Sequence, residues 1–245
     1  FILPVIVGVL GLLAVFGRAG WISAALDWAG FAKLSIYGAP GVVIAECFAV
    51  FPHVLMILVT ALTLADARLY EAADALGTSA QRKFFTITLP GAKYGLISAS
   101  LVSFTLVMTD FGIPKVIGGN FNMMATDIFK LVIGQQDFSR GSVVALLLLS
   151  PAVLSFGVDR YVSARQTAML SARAVAFAPK PDARHDLLMM SFCTFIACLM
   201  LAMLGMAIFA SFASFWPYNL APSLVHYKLG LIDGDVGQGF VNSLK

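Results

Sequence analysis

The chain has 245 residues, of which 60% are hydrophobic and only 12% are charged, and its mean hydropathy is +0.90. Ordinary soluble domains carry roughly 25% charged residues, so this composition excludes that class and indicates an integral membrane protein. The formal net charge of +3 says little by itself, because the distribution of charge matters more than its sum.

Five apolar segments are long enough, or nearly so, to cross a bilayer as helices of about 20 residues. They are residues 1–17, 38–64, 94–112, 141–158 and 187–212, and residues 239–244 look like the start of a sixth. Backbone groups in lipid must bond within their own segment, so the predicted fold class is all-α, a polytopic transmembrane helix bundle. The chain begins with Phe inside an apolar run, so we expect an internal fragment of a longer polypeptide.

Positive charge is unevenly distributed between alternate loops. Loops 65–93 and 159–186 contain nine Lys or Arg residues in 57 positions, whereas loops 18–37, 110–140 and 213–245 contain seven in 84. Because loops rich in Lys and Arg remain in the cytoplasm, the first set is predicted to be cytoplasmic.

The polar stretch Glu71–Pro90 lies between the second and third apolar segments and favours a folded loop. Asp66 is a suitable N-cap for a helix over 67–76, and Gly77 stands where a left-handed C-terminal cap is needed. Thr78 and Gln81 have the spacing of a capping box, which predicts a second short helix. Pro90 then suits the first turn of the next span. The small side chains of this loop would let another surface approach its backbone; they are Ala72, Ala73 and Ala75.

The loop also carries a longer pattern: Glu71-Ala72-Ala73, then Gly77, then Ile87-x-Leu89-Pro90. In this pattern the chain resembles the permease subunits of type I ABC importers, whose signature it matches at every position. The resemblance implies that the short helix couples the permease to a groove on a cytoplasmic ATPase subunit. The residues it assigns to ATPase coupling are Glu71, Ala72, Ala73, Gly77, Ile87, Leu89 and Pro90. The alternative is an ordinary amphipathic cytoplasmic loop.

The remaining loops are assigned from composition. The external loop 111–140 is predicted to form a turn around Gly112–Gly119, followed by a short helix over 125–133. Trp216 and Tyr218 stand where an interfacial aromatic belt would place them. Cys47, Cys193 and Cys198 lie in apolar runs, which predicts packing rather than metal ligation or a disulfide.

The chain resembles fused, two-unit permeases related to those for iron(III) and phosphonate uptake. In that layout residues 1–160 are the later part of a first transmembrane unit, with the coupling loop at 66–90. Residues 161–184, which are basic and contain two prolines, form a cytoplasmic linker. Residues 185–245 supply the first span and an external loop of a truncated second unit.

Ionisable groups inside apolar segments are costly in lipid unless they face protein or water. Glu46 lies about two turns inside the second segment and Asp110 near the outer end of the third. Both are candidates for the translocation path, where they would meet a cationic group of the solute; the alternative is a carboxylate satisfied by neighbouring helices or interfacial water. His53, after Pro52, is predicted to fill space at a helix kink.

No phosphate-binding loop, catalytic triad or metal-binding motif is present in the sequence, so the chain is predicted to be a transport subunit rather than an enzyme. It is expected to bind no cofactor itself, with ATP and Mg held by a separate ATPase. The competing classes are a membrane enzyme and an ion-coupled secondary transporter; the latter would depend on Glu46, Asp110 or His53.

The stretch Thr109–Gly119, extended by 126–128 and 134–138, is similar to fused permeases assigned to 2-aminoethylphosphonate. Related iron(III) permeases share its Asp-Phe-Gly-x-Pro passage. The resemblance therefore implies uptake of 2-aminoethylphosphonate, with iron(III) or a polyamine as alternatives. The implied partners are an ATPase dimer, a periplasmic solute-binding protein, a second permease unit (fused or separate) and the lipid of a bacterial inner membrane, with no nucleic acid.

Overall fold

A computed structural model describes residues 5–17, 20, 37–169, 182–216, 218–232 and 235–244. Over these residues the chain is mostly helical, which confirms the predicted fold class. It divides into two compact units: a central unit, Glu46–Met189, and a terminal unit, Phe1–Ala45 with Met190–Lys245. The elements are α1 (Val5–Phe16), α2 (Ala39–Thr63), α3 (Ala67–Ala75), α4 (Ala80–Lys83), α5 (Leu89–Thr109), α6 (Gly112–Ile117), α7 (Met124–Phe129), α8 (Phe138–Met169), α9 (Ala183–Phe212), β1 (Ala213–Phe215), β2 (Asn219–Pro222), α10 (Val225–Ile232) and α11 (Asp235–Leu244).

Four of the described helices are long and apolar enough to cross a membrane. They cover Ala39–Thr63, Ala80–Thr109, Phe138–Val162 and Ala183–Phe212, and they correspond to four of the five predicted segments. The first predicted segment is represented by α1, whose 12 described residues are fewer than a span requires. Residues 239–244 lie in α11, which is 10 residues long. The chain is a multi-pass membrane protein.

In the central unit, α5 packs against helices on either side of it in sequence. A Cβ added at Gly95 of α5 would overlap the methyl group of Ala61 in α2, so these backbones approach as closely as two small residues allow. On α8, the carboxylate of Asp159 accepts a hydrogen bond from the Ser98 hydroxyl of α5. Neither Ser98 nor Asp159 was singled out from the sequence. Close packing and one polar bond thus connect α5 to two other helices.

In the terminal unit, α1 packs against α9 at another glycine. A Cβ added at Gly11 would overlap the carbonyl oxygen of Met203, and Met203 is itself buried. After α9 the strands β1 and β2 pair antiparallel, with Ala213 opposite Pro222 and Phe215 opposite Asn219. The sequence interpretation had only an aromatic belt here and missed this short hairpin.

Two loop assignments change in the structure. The stretch Gly112–Ile117, predicted as a turn, is the helix α6, and the turn lies at Gly119 and Asn120, where Gly119 has φ +56°. The turn was predicted from the glycine and proline content. A helix forms instead because the Asp110 carboxylate caps the first N–H groups of α6. The predicted short helix over 125–133 is α7 followed by a π turn at Lys130–Gly134.

The predicted linker 161–184 is partly helical, since α8 continues to Met169 and α9 begins at Ala183. Residues 170–181 lie outside the described part, and the division at 160 and 185 stays a prediction. His53 is exposed instead of filling a kink, because α2 continues through Pro52 and turns this side chain outward. The three cysteines predicted to pack are also exposed; they are Cys47, Cys193 and Cys198.

Candidate functional site

A polar hairpin, residues 66–90, joins the spans α2 and α5. Its first arm is α3, and Asp66 is the N-cap, as predicted: its carboxylate accepts a hydrogen bond from the Arg68 N–H at 3.1 Å. Ala67 and Ala73 are buried on one side of α3, with the partly buried Tyr70 between them. This spacing of three residues places them on one helical face.

The first arm ends in a Schellman motif. Gly77 has φ +66°, the left-handed conformation that its position predicted. The Thr78 N–H donates to the Ala73 carbonyl at 3.0 Å, and the Gly77 N–H donates to the Asp74 carbonyl at 3.0 Å. These two bonds satisfy carbonyls that a helix end otherwise leaves free. The motif fixes the direction in which the chain leaves α3.

The second arm differs from the prediction at both ends. Its N-cap is Ser79 rather than Thr78, because the Ser79 hydroxyl accepts from the Arg82 N–H at 3.4 Å and the Thr78 amide is already used by the Schellman motif. It is also not a separate short helix: α4 passes through a π turn at Phe84–Thr88 directly into α5. In that turn the Leu89 N–H bonds to the Phe84 carbonyl, five residues back.

Pro90 explains why the helix widens here. It lacks an N–H and its ring crowds the preceding turn, so an ordinary helical turn would be strained at this place. A π turn accommodates the proline without breaking the helix. The predicted position of Pro90 in the first turn of α5 is confirmed.

Two side-chain contacts join the arms. The Tyr70 hydroxyl and the Thr88 hydroxyl are hydrogen-bonded at 2.8 Å in a partly buried position. The Lys83 ammonium forms an ion pair with Asp74, whose side chain is 50% exposed. Such an exposed pair stabilises by about 1 kcal/mol or less, which is comparable to the hydrogen bond of the partly buried hydroxyl pair.

The signature residues are not all on the same side of the hairpin. Glu71 and Ala72 are exposed, and among the described residues Glu71 has neither an ion pair nor a hydrogen bond. Ala73, predicted to admit another surface, is only 8% exposed, because it lies on the inner face of α3. Ile87 is partly buried, whereas Leu89 and Pro90 are exposed.

Glu46 and Asp110 lie together at the other end of α5. Glu46 is only 5% exposed, and its Oε1 atom has no hydrogen-bond partner among the described residues. The carboxyl groups of Glu46 and Asp110 are close enough for charge repulsion and for a side-chain hydrogen bond between them. The close contact of Ala61 in α2 and Gly95 in α5 agrees with this pairing. Glu46 lies as many residues before Ala61 as Asp110 lies after Gly95, so both carboxyl groups are at the same distance from that contact along their helices.

Asp110 is held in place by the helix that it caps. Its Oδ2 accepts from the Ile113 N–H at 2.8 Å and its Oδ1 from the Gly112 N–H at 3.3 Å. Ile113 and Ile117 of α6 are both fully buried. The two carboxyl groups chosen separately from the sequence therefore form one pair, in which Glu46 is buried, Asp110 is partly buried, and only Asp110 accepts hydrogen bonds from backbone N–H groups.

Comparison with known proteins identifies the family. Residues 1–168 match the model for the binding-protein-dependent transport system inner membrane component. This chain belongs to that permease family. The matched region contains the hairpin, the carboxyl pair and the spans α2, α5 and most of α8.

Individual relatives of the permease differ in the solute that their names mention. The chain is 33% identical over 159 residues to the ferric transport system permease protein FbpB of Actinobacillus pleuropneumoniae, covering 64% of this chain and 23% of that protein. It is 27% identical over 241 residues to the putative ferric transport system permease protein FbpB 1 of Haemophilus influenzae, covering 94% of this chain and 38% of that protein. It is 37% identical over 111 residues to the molybdenum transport system permease protein ModB of H. influenzae, covering 44% of this chain and 47% of that protein. The chain thus spans well under half of either ferric relative.

The structure of the permease adds apolar residues that the sequence reading of the hairpin omitted. Leu76, next to Gly77, is 82% exposed, and Leu69 on the same helix is 57% exposed. On the second arm Phe85 is 65% exposed and lies edge-to-face with Phe84 at 5.3 Å. The sequence could have indicated these residues, because they are large apolar side chains in an otherwise polar loop. Clusters of such side chains are exposed mainly at binding surfaces.

Proposed function

We propose that this chain is the transmembrane part of an ATP-driven importer of a bacterial inner membrane, with the hairpin 66–90 as its contact with a cytoplasmic ATPase. The observation that carries the proposal is the hairpin itself: a polar, doubly capped structure that continues without a break into the span α5. A loop that only connects two spans has no need of such rigidity. Family membership and the complete signature sequence support the same assignment.

The mechanism follows from how the hairpin is built. Exposed Glu71 offers a carboxylate to a basic group on the ATPase, Ala72 permits close approach, and Leu76 and Phe85 supply apolar contact. ATP and Mg are held by the ATPase dimer, and this chain binds neither. Closure of the dimer displaces the hairpin, and the helix Ala80–Thr109 carries that displacement into the membrane. The permease alternates between two arrangements of one helix bundle, biased by its partners.

Glu46 and Asp110 are proposed to line the path of the solute, which a periplasmic binding protein delivers. A second permease unit, fused or separate, completes the path. Iron(III) is the solute best supported, since both FbpB relatives are named for ferric transport. The expectation of 2-aminoethylphosphonate rests on the likeness of residues 109–119, 126–128 and 134–138, and the ferric and molybdenum relatives do not support it.

Cross-linking from two neighbouring positions tests the contact with the ATPase. Single cysteines are introduced as Ala72→Cys and Ala73→Cys in a protein whose native cysteines are replaced by Ser. Because Ala72 is exposed and Ala73 is buried, a maleimide that carries a photoreactive group should attach to position 72 and join it to the ATPase on illumination, and should not do so from position 73. The replaced cysteines are Cys47, Cys193 and Cys198.

Two outcomes would overturn the proposal. One is failure of position 72 to cross-link to the ATPase in intact cells that contain both proteins. The other is solute uptake that continues after the ATPase is deleted, which would favour an ion-coupled secondary transporter instead.

A further inference from the structure

We propose that Glu46 and Asp110 form a binding site for the cationic centre of the transported solute, with Oε1 of Glu46 as its open ligand atom. The inference rests on the proposed function and adds the charge of the solute to it. A cationic centre means a metal cation or an ammonium group, both of which accept carboxylate oxygens as partners. An oxyanion such as molybdate is excluded from such a site by repulsion.

The first observation is the state of Glu46. Its side chain is removed from solvent, yet Oε1 has no partner among the described residues. A buried polar atom without a partner costs about 1–3 kcal/mol, and more if it is charged, so folded proteins retain few of them without a function. The free atom lies on a group that already interacts with a second carboxyl, and a ligand held there would satisfy both groups.

The second observation is the absence of a positive partner within the described part of the chain. The ion pairs of the central unit use other carboxylates, namely Asp74, Asp127 and Asp137. Lys115, near Asp110 in sequence, is placed over the ring of Phe129, 4.8 Å from its centroid. Two adjacent carboxylates in a medium of low dielectric constant repel strongly, so a positive charge must accompany them when both are ionised.

The third observation is the rigidity of one half of the pair. The backbone N–H groups of α6 hold both oxygens of Asp110, and the buried Ile113 and Ile117 fix α6 in turn. Glu46 has no such bonds. A fixed carboxylate beside a free one suits a site that gains and releases its ligand, because only one group has to reorganise. The pair also lies on the side predicted to be external, where solute arrives.

Direct binding measurements test this inference without requiring ATP or transport. The purified native protein in lipid nanodiscs is dialysed against radiolabelled Fe(III) citrate, 2-aminoethylphosphonate or molybdate. We expect binding of one of the two probes that contain a cationic centre, the ferric ion or the ammonium group, and none of molybdate. Glu46→Gln, which keeps the size of the side chain and removes its charge, should weaken that binding about tenfold or more. The probe that binds tells a metal cation from an ammonium group.

Asp127→Asn is the matched control. Asp127 is acidic and lies, like Asp110, in the segment between α5 and α8, but it is paired with Lys130 and its side chain is 42% exposed. It should bind as the wild type does. If Glu46→Gln does not fold, Asp110→Asn replaces it, since an amide oxygen can still accept the Ile113 N–H.

Wild-type binding in Glu46→Gln, binding of molybdate, or binding of neither Fe(III) citrate nor 2-aminoethylphosphonate would overturn the inference. These results are distinguishable from failure of the proposed function. Loss of the cross-link at position 72 removes the importer assignment and leaves the binding data unchanged. An intact cross-link with binding that is independent of Glu46 removes the cation site alone.

Discussion

Gly77 and Gly91 differ in backbone conformation, and this conformation decides whether a side chain is tolerated at each position. A Cβ added at either would meet nothing within 4 Å, but Gly77 has φ +66° and Gly91 is helical. Gly77→Ala should therefore destabilise the hairpin by about 1–2 kcal/mol, the cost of a left-handed L-residue. Gly91→Ala should stabilise α5 by about 0.5–1 kcal/mol.

Hydrogen exchange followed by mass spectrometry on the purified protein measures both substitutions in one experiment. Faster exchange in residues 67–78 for the first and slower exchange at the start of α5 for the second are the expected results. Equal effects of the two would show that open space, and not backbone conformation, determines the response.

The hydroxyl pair of Tyr70 and Thr88 gives a second prediction at this scale. A double-mutant cycle of Tyr70→Phe and Thr88→Val isolates the bond from other contacts of Tyr70. We expect a coupling free energy of about 1 kcal/mol, typical of a partly buried hydrogen bond. The measurement is thermal unfolding of the full protein in detergent, provided that it is reversible. Additive effects of the two substitutions would mean that the bond does not hold the arms together.

At the scale of elements, the unbroken helix from Ala80 to Thr109 is the feature with the clearest consequence. Insertion of two glycines between Thr88 and Leu89 should interrupt it, because glycine is a poor helix former and the added residues change the phase of the helix by more than half a turn. We expect ATP hydrolysis to continue while uptake falls to background. The same insertion between Gly119 and Asn120, in an exposed turn, is the control. Undiminished uptake after the first insertion would contradict transmission through this helix.

The cap and turn residues of the hairpin were the features best predicted from the sequence. Asp66, Gly77 and Pro90 were placed correctly because each acts on the backbone of its immediate neighbours. Ser79 was missed because two adjacent hydroxyl residues can both cap a helix, and the choice depended on the amide of Thr78 being engaged elsewhere. The burial of Ala73 depends on the tertiary fold around α3, which no local pattern contains.

Contacts between distant segments could not be derived from the sequence. Glu46 and Asp110 were both recognised as costly in lipid, but their pairing depends on how α2 and α5 are aligned. The bond between Ser98 and Asp159 depends on the alignment of α5 and α8 in the same way. Hydropathy locates spans because lipid acts on each segment separately, whereas the alignment of spans is decided by packing between helices.

For the whole molecule, the distribution of Lys and Arg predicts which side of the membrane each loop occupies. Leu76→Cys in the hairpin and Asn120→Cys in the loop after α6 are both at exposed positions. In a protein without native cysteines, a membrane-impermeant maleimide should label position 120 in intact spheroplasts. It should label position 76 only in inside-out vesicles. The reverse pattern would place the hairpin outside and remove the ATPase from consideration.

The helix Ala80–Thr109 has one further consequence when its two ends are considered together. Its first turn belongs to the hairpin, and its last residue precedes Asp110. Under the proposed mechanism, a tilt of the hairpin end that changes the distance between Asp110 and Glu46 would link the nucleotide state of the ATPase to the affinity for solute. Linkage is reciprocal for binding free energies. Solute held by the two carboxylates should therefore alter the affinity of the distant ATPase for its nucleotide, without any contact between the two ligands.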